Sequence, residues 1–307
     1  MGDCLLLTSP LRALKEEFPG FQITVLVESR FAECFAGNPD VDEVLSFRRK
    51  TEALQLLTRR FELIVNLHGG PTSLLYSLLA RGPQIGFQQF QYRWLYSGLL
   101  PAPDASVHSV EATFAAFRWL GVRRAVPPAL RFEGDQKDAN RTSAARKPYA
   151  VLHPEALMET KRWEASRFAE LARVLQTLGL TTVLTCGPGE ESTVNAVAEG
   201  LNVCEVVTGP SITDLARLIR GAQLYVGNDS GPMHLAAAVG TPIVALWGSS
   251  DSRRWHPWGV NNIVVQNPFE CNPCAGYRCL VAPTPLCIES VTVDQAVAAA
   301  KKLLAKS

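Results

Sequence analysis

Six consecutive residues, Asp229-Ser230-Gly231-Pro232-Met233-His234, bring a carboxylate, a hydroxyl and an imidazole into one turn. The apolar Leu224-Tyr225-Val226 precedes them, and an Ala-rich stretch ended by Gly240 follows. This reads as strand, sharp turn and helix, with Pro232 at a tolerated first-turn position. A helix N-terminus at the carboxyl end of a buried strand favours anions. Asp229, Ser230, Gly231, Met233 and His234 therefore stand where a phosphorylated ligand would bind. The same letters also describe simple helix capping, and the remaining motifs shift the balance.

Thr160-Lys161-Arg162-Trp163 runs into a helical pattern beginning Glu164-Ala165-Ser166. A lysine just before a helix start adds a point charge to the helix dipole, which suits a diphosphate; the alternative is a surface Lys-Arg pair beside a packed tryptophan. Gly187-Pro188-Gly189-Glu190-Glu191 follows another strand. A glycine-rich loop lets backbone approach a ligand, and Glu190 can accept from a ribose diol. It is not a G-x-G-x-x-G fingerprint, so a nicotinamide dinucleotide is disfavoured. Asp3 could serve as a general base, although on its own it reads as a terminal carboxylate. Cys271, Cys274, Cys279 and Cys287 form C-x2-C-x4-C-x7-C. Four thiols in so short a span can hold zinc or an iron–sulfur cluster, or remain reduced structural thiols.

The elements needed to hold these residues alternate along the chain. Strand patterns at residues 21–27, 44–47 and 62–67 interleave with helical patterns at 10–18, 30–36, 52–59, 72–80 and 110–120. Residues 131–147 are polar and read as an interdomain linker. The pattern restarts with strands at 149–153, 181–186 and 203–208, helices at 164–178 and 211–220, the 224–251 stretch, and a terminal helix at 293–305. Such alternation predicts parallel sheets and an α/β class. Only residues 1–7 precede the first helical pattern, so the first half lacks an opening strand.

The 307 residues suffice for two domains. A net charge of +1 gives no field for nucleic acid. There is no secretory signal pattern, and the longest uncharged stretch, 230–250, is interrupted by glycine and proline. The expected location is the cytoplasm, with contact at a membrane surface.

In combination these motifs resemble glycosyltransferase family 9, the ADP-heptose:lipopolysaccharide heptosyltransferases, over nearly the whole chain. The likeness runs from Gly2-Asp3 and Pro10-Leu11-Arg12-Ala13-Leu14 through Asn66-Leu67-His68-Gly69-Gly70, Gln84-Ile85-Gly86-Phe87, His108-Ser109-Val110-Glu111 and Lys161-Arg162-Trp163. It ends at the Asp229–His234 turn, Gly248-Ser249-Ser250-Asp251 and the cysteine cluster. The resemblance implies a GT-B fold, two Rossmann-like domains facing across a cleft. Residues 1–140 would bind the acceptor and residues 148–307 the nucleotide sugar, with the terminal helix packing back on the first domain. It implies inverting, metal-independent transfer of heptose from an ADP-sugar to a lipopolysaccharide core or related glycolipid, with peripheral contact at the inner membrane. Asp3 matches the general base and Lys161 the residue that neutralises departing ADP. Glu190 would hold the ribose; Asp229 and His234 would contact heptose or phosphate. Arg48-Arg49-Lys50 and Arg93 could face anionic acceptor sugars. Another activated sugar, or a nucleotide-sugar-binding protein impaired at Asp3, are the competing readings.

Two departures stand out. The family carries a strand of about eight to ten residues before the Gly-Asp pair, and none precedes Gly2 here. Small residues are usual at His153-Pro154-Glu155-Ala156-Leu157, so Glu155 would set a negative charge beside a diphosphate unless it turns away.

Overall fold

The computed structural model describes residues 1–134, 147–201, 204–274 and 276–305. Most of the expected linker, and residue 203 of one expected strand, lie outside these. The chain forms two compact units. One comprises Met1–Thr8, Glu33–Asn38 and Ala129–Ser307; the other comprises Ser9–Ala32 and Pro39–Pro128.

The element order is α1 (Gly2–Glu17), β1 (Thr24–Glu28), β2 (Glu43–Phe47), β3 (Ile64–Val65), α2 (Pro71–Leu79), β4 (Gln84–Phe87), β5 (Gly98–Leu100) and α3 (Ser109–Trp119). The second half continues with β6 (Tyr149–His153), α4 (Ala165–Thr177), β7 (Thr181–Cys186), α5 (Glu191–Ala198), β8 (Cys204–Thr208), α6 (Ile212–Arg220), β9 (Leu224–Asn228) and α7 (Gly231–Val239). It closes with β10 (Ile243–Leu246), α8 (Ser252–Trp255), β11 (Asn262–Val265), α9 (Leu286–Glu289) and α10 (Val293–Leu304).

The larger unit is built on a six-stranded parallel sheet, ordered β11-β10-β9-β6-β7-β8. In chain order within the unit this is the 3-2-1-4-5-6 arrangement of a doubly wound sheet, and the order reverses between β6 and β9. Ligands of such sheets bind beyond the carboxyl ends of the strands at that switch point. Every residue of β6, β9 and β10 is buried. Their continuous apolar runs are what a strand covered on both faces requires. Helix α4 buries Phe168, Ala169, Leu171, Ala172 and Leu175, one stripe at helical spacing, into the main core.

The smaller unit holds two parallel sheets, β1-β2 and β3-β4-β5. The helices expected at 30–36 and 52–59 are 3₁₀ segments, Ser29–Phe35 and Lys50–Thr58. Strands β4, β5 and β11 were not signalled by alternation: they are only three or four residues long.

One further expectation is corrected. Residues 2–7 are not a segment ahead of the first helix; α1 starts at Gly2 and carries Pro10 inside it. An interior proline removes one helical hydrogen bond, but the chain on both sides buries Leu5, Leu6, Leu11 and Ala13. The terminal helix α10, started by a Thr292–Gln295 capping box, lays Ala296, Ala299, Ala300 and Leu303 on the core of the six-stranded sheet, against α4, β10 and β11.

Candidate active site

The site is assembled at the switch point. Strand β9 ends at Asn228, whose fully buried amide ties two neighbouring loops to the strand. Its Nδ2 donates to the Pro154 carbonyl (2.8 Å), and its Oδ1 accepts from the Trp163 amide (3.1 Å). Trp163 is fixed in turn by Nε1 donating to the Val291 carbonyl (2.8 Å) and by edge-on packing against Phe168. The Lys161 loop therefore lies beside the end of β9.

Lys161 Nζ lies 2.6 Å from Asp229 Oδ2. The Ser250 hydroxyl, from the loop after β10, donates to the same oxygen. Asp229 is buried and Lys161 is 19% exposed. Directly after Asp229, Ser230 stands at the N-cap of α7 without a side-chain capping bond, and Pro232 lies in the first turn. Residues Asp229, Ser230 and Gly231 thus form the anion-favouring end of a nine-residue helix. Met233 is fully buried, and its amide donates to the Ser230 carbonyl.

His234 is buried, and among the described residues its Nδ1 has no hydrogen-bond partner. Burial pushes its pKa down to about 4; Asp229 and Asp3 oppose that shift, while Lys161 and the N-terminal amine reinforce it. The imidazole is therefore neutral at pH 7. Helix α1 begins against this ring: a Cβ on Gly2 would stand 2.9 Å from His234 Cδ2, and one on Gly231 would stand 2.6 Å from Met1 Cε. Asp3 is exposed in the first turn of α1 and is held near His234 by secondary structure, not on a loose end.

Glu190 sits at the N-cap of α5, two strands from β9, a lateral distance of about 10 Å at usual strand spacing. Its Oε2 accepts from the Gly187 amide at 2.7 Å, folding the carboxylate over its own glycine loop. Between Glu190 and Asp229, at the end of β6, lies Glu155. It is buried, and Arg162 Nε stands 3.0 Å from its carboxylate while Arg162 Nη2 donates to the Ala156 carbonyl (2.9 Å). The negative charge expected beside a diphosphate is thus paired. His153, on β6, is buried with Nδ1 at 3.1 Å from Thr185 Oγ1, and burial lowers its pKa to about 4.

The cysteine loop belongs to this neighbourhood. The Cys274 amide donates to the Ser249 carbonyl (2.7 Å), and Asn272 Nδ2 donates to the Gly248 carbonyl (3.0 Å). Thr160 Oγ1 donates to the Gly276 carbonyl (2.8 Å) and accepts from Ser249 Oγ (2.9 Å). Among the described residues no three His, Cys, Asp or Glu side chains are grouped as metal ligands. The loop that carries Cys271, Cys274, Cys279 and Cys287 is tied down by these backbone and side-chain hydrogen bonds, and Cys271 and Cys279 lie near enough to Cys287 to add to the burial that holds its thiol pKa up. Ser250, Asn228, Thr160 and Ser249 were not singled out as site residues from sequence. Their signal was present only as polar residues packed between apolar strands and a glycine-rich turn.

The sequence model for glycosyltransferase family 9 (heptosyltransferase) matches residues 51–284. The chain belongs to this family. Lipopolysaccharide heptosyltransferase 3 of Escherichia coli is 29% identical over 297 residues, covering 85% of each chain. Lipopolysaccharide heptosyltransferase 1 of Salmonella typhimurium is 26% identical, covering 87% of this chain and 92% of its own. Among solved structures, a family 9 glycosyltransferase from Veillonella parvula superposes with a TM-score of 0.87 at 23% identity, covering 100% of this chain and 95% of its own. Escherichia coli ADP-heptose lipopolysaccharide heptosyltransferase II follows at 0.83 and 22%, covering 99% and 96%. An Escherichia coli heptosyltransferase solved with ADP gives 0.79 and 22%, covering 98% and 96%. The fold is GT-B, and the protein is a glycosyltransferase of the heptosyltransferase family. Among the described residues no helix is long and apolar enough to cross a membrane.

Proposed function

We propose that this enzyme transfers heptose from ADP-L-glycero-D-manno-heptose, with inversion, to a lipopolysaccharide core or related glycolipid acceptor at the cytoplasmic face of a membrane. The observation that carries this reading is the meeting of Lys161 and the N-terminus of α7 at buried Asp229. A cation and a helix dipole in one partly buried place suit the charge that builds on a departing diphosphate. The heptosyltransferase structure solved with ADP supports a nucleotide donor.

In this reading Asp3 accepts the proton of an acceptor hydroxyl as its oxygen attacks the anomeric carbon. The bond from that carbon to the diphosphate oxygen breaks, and its electron pair leaves on ADP. Lys161, with the amides at the start of α7, takes up the added charge. Asp229 orients the Lys161 ammonium, and neutral His234 offers a hydrogen bond to sugar or phosphate without adding charge. Glu190 accepts from the ribose diol with the oxygen not turned to Gly187. Residues 1–140, Asp3 among them, provide the acceptor side, and residues 148–307 the donor side.

The test is ADP release from ADP-L-glycero-D-manno-heptose in the presence of a heptose-deficient core acceptor. Release that depends on acceptor, and that Asp3→Asn abolishes while ADP still binds, supports the assignment. Saturable ADP binding with no turnover points to another sugar or acceptor, and absence of ADP binding overturns the donor reading.

A further inference from the structure

Two neighbouring helical segments of the smaller unit each bury one row of side chains and show an apolar row to solvent. The 3₁₀ segment Lys50–Thr58 buries Ala53 and Leu56 and leaves Leu54 and Leu57 exposed, at 57% and 44%. In a 3₁₀ helix side chains three apart eclipse, so these two leucines form one row. Helix α2 buries Leu74 and Ser77 and leaves Leu75 and Leu78 exposed, at 45% and 46%. Spacing of i, i+3 places them on one face.

The two segments pack on each other, around a small core of Ala53, Leu56 and Ala80 with Tyr76 and Leu79. They also end together. Arg60 and Arg81 are joined by a parallel bridge, with the Phe61 amide donating to the Arg81 carbonyl (2.8 Å) and the Arg81 amide to the Arg59 carbonyl (3.1 Å). Two rows of exposed leucine thus finish at one pair of arginines.

The charges around this face are mostly positive, with Glu52 and exposed Glu62 as the acidic exceptions that no described ion pair includes. Arg59 is neutralised by Glu43, with two contacts at 2.8 and 2.9 Å. Arg60 and Arg81 are exposed and, among the described residues, pair with no carboxylate. Arg48 and Arg49 are exposed at the opposite end of the 3₁₀ segment. Glu52, on that segment, is occupied in accepting from the Arg48 amide (3.0 Å).

Isolated exposed leucines need no explanation, but two such rows on segments that pack together and end at exposed guanidinium groups do. Leucine side chains lose apolar surface to water in a bilayer interface, and arginine heads beside them meet headgroup phosphates. We propose that the face formed by Leu54, Leu57, Leu75 and Leu78, with Arg60 and Arg81, docks this enzyme on an anionic phospholipid surface. The inference rests on the reading that the acceptor is a glycolipid; it names the part of the chain that would hold the enzyme where such an acceptor lies.

The experiment is co-sedimentation of the full chain with vesicles of phosphatidylglycerol and phosphatidylcholine, or of phosphatidylcholine alone, at low and at physiological salt. ADP binding is measured on each variant. The wild type is expected to bind the anionic vesicles at least ten-fold more tightly than the neutral ones, with the difference shrinking in salt. Leu57→Glu with Leu78→Glu should lower binding to anionic vesicles ten-fold or more, and Arg60→Ala with Arg81→Ala should remove the preference for them. ADP affinity, read on the other unit, should stay at the wild-type value in both double variants, which shows that they fold. Equal binding of wild type to both vesicle types, or unchanged vesicle binding in the leucine variant, overturns the proposal. So does a wild-type dimer that the leucine variant dissociates while vesicle binding is untouched. Failure of the wild type to bind ADP would count against the donor reading alone, since the vesicle measurement does not depend on it.

Discussion

Lys161 Nζ and Asp229 Oδ2 stand 2.6 Å apart at the reversal of strand order in the six-stranded sheet. The two residues come from different loops, and Ser250 from a third loop shares the same carboxylate oxygen. The pair places one cation at the head of α7, where the proposed reading puts the donor's diphosphate.

Lys161→Gln keeps a hydrogen-bond donor on a side chain one atom shorter and removes the charge. It should lower kcat for ADP release by about 100-fold, the usual loss of one electrostatic stabiliser of a leaving group, and weaken ADP binding. Isothermal titration with ADP and a steady-state release assay read both. An unchanged kcat would remove Lys161 from the leaving-group role.

The joint between the Lys161 loop and the Ser250 loop is buried and hydroxyl-mediated. Thr160→Val leaves Gly276 O and Ser249 Oγ without their partner and should cost about 1–3 kcal/mol in urea unfolding, with Thr160→Ser recovering most of it. Gly248→Ala is harsher: the added Cβ would stand 2.2 Å from the Thr160 carbonyl oxygen and 3.0 Å from Ile288 Cβ. Backbone must move there, at a cost of about 3 kcal/mol, and ADP affinity should fall with it. Wild-type ADP affinity in Gly248→Ala would show that the two loops are not coupled.

The Glu155–Arg162 pair predicts an asymmetry. Glu155 is buried and Arg162 is 44% exposed at its side chain. Arg162→Ala strands a buried carboxylate and should destabilise by about 3 kcal/mol. Glu155→Gln leaves a solvated guanidinium and should cost under about 1 kcal/mol. Urea unfolding of the two variants decides; equal losses would mean that burial of Glu155 is not the cause.

Stability should depend on pH through His153 and His234. Burial lowers both from 6.5 to about 4. Between those values the unfolded chain binds more protons than the folded one, so stability rises with pH. The contribution is fully present above pH 6.5 and is lost as pH falls towards 4, at about 1.4 kcal/mol per pH unit for each histidine. His153→Gln should remove one histidine's share of that slope in urea titrations run from pH 4 to 7. A slope that does not change would mean His153 keeps its ordinary pKa in the folded chain.

Much of the second half was legible in the chain. The runs at Tyr149–His153 and Leu224–Asn228 are unbroken and apolar, which only strands covered on both faces tolerate. Ser211 caps α6 by accepting from the Asp214 amide, a local signal of serine at a helix start. The first half was less legible because its elements are short. A two-residue strand such as Ile64–Val65 has no period to detect, and whether residues 50–58 wind as α or 3₁₀ depends on packing against α2.

The sequence by itself determined the α/β class, the strands of the second half and the kinds of group that Lys161, Asp229 and His234 bring. Those features are local, set by hydrophobic period, turn formers and residue type. Only the tertiary structure decided which of these groups meet, because strand order is not written in chain order. Strands β6 and β9 are neighbours in the sheet though some seventy residues apart, and their pairing brings Lys161 to Asp229. It also decided that Glu155 is neutralised by Arg162, that Asp3 starts a helix against His234, and that Leu54 and Leu75 remain on the surface. Each depends on which side of an element is covered, and long-range packing sets that.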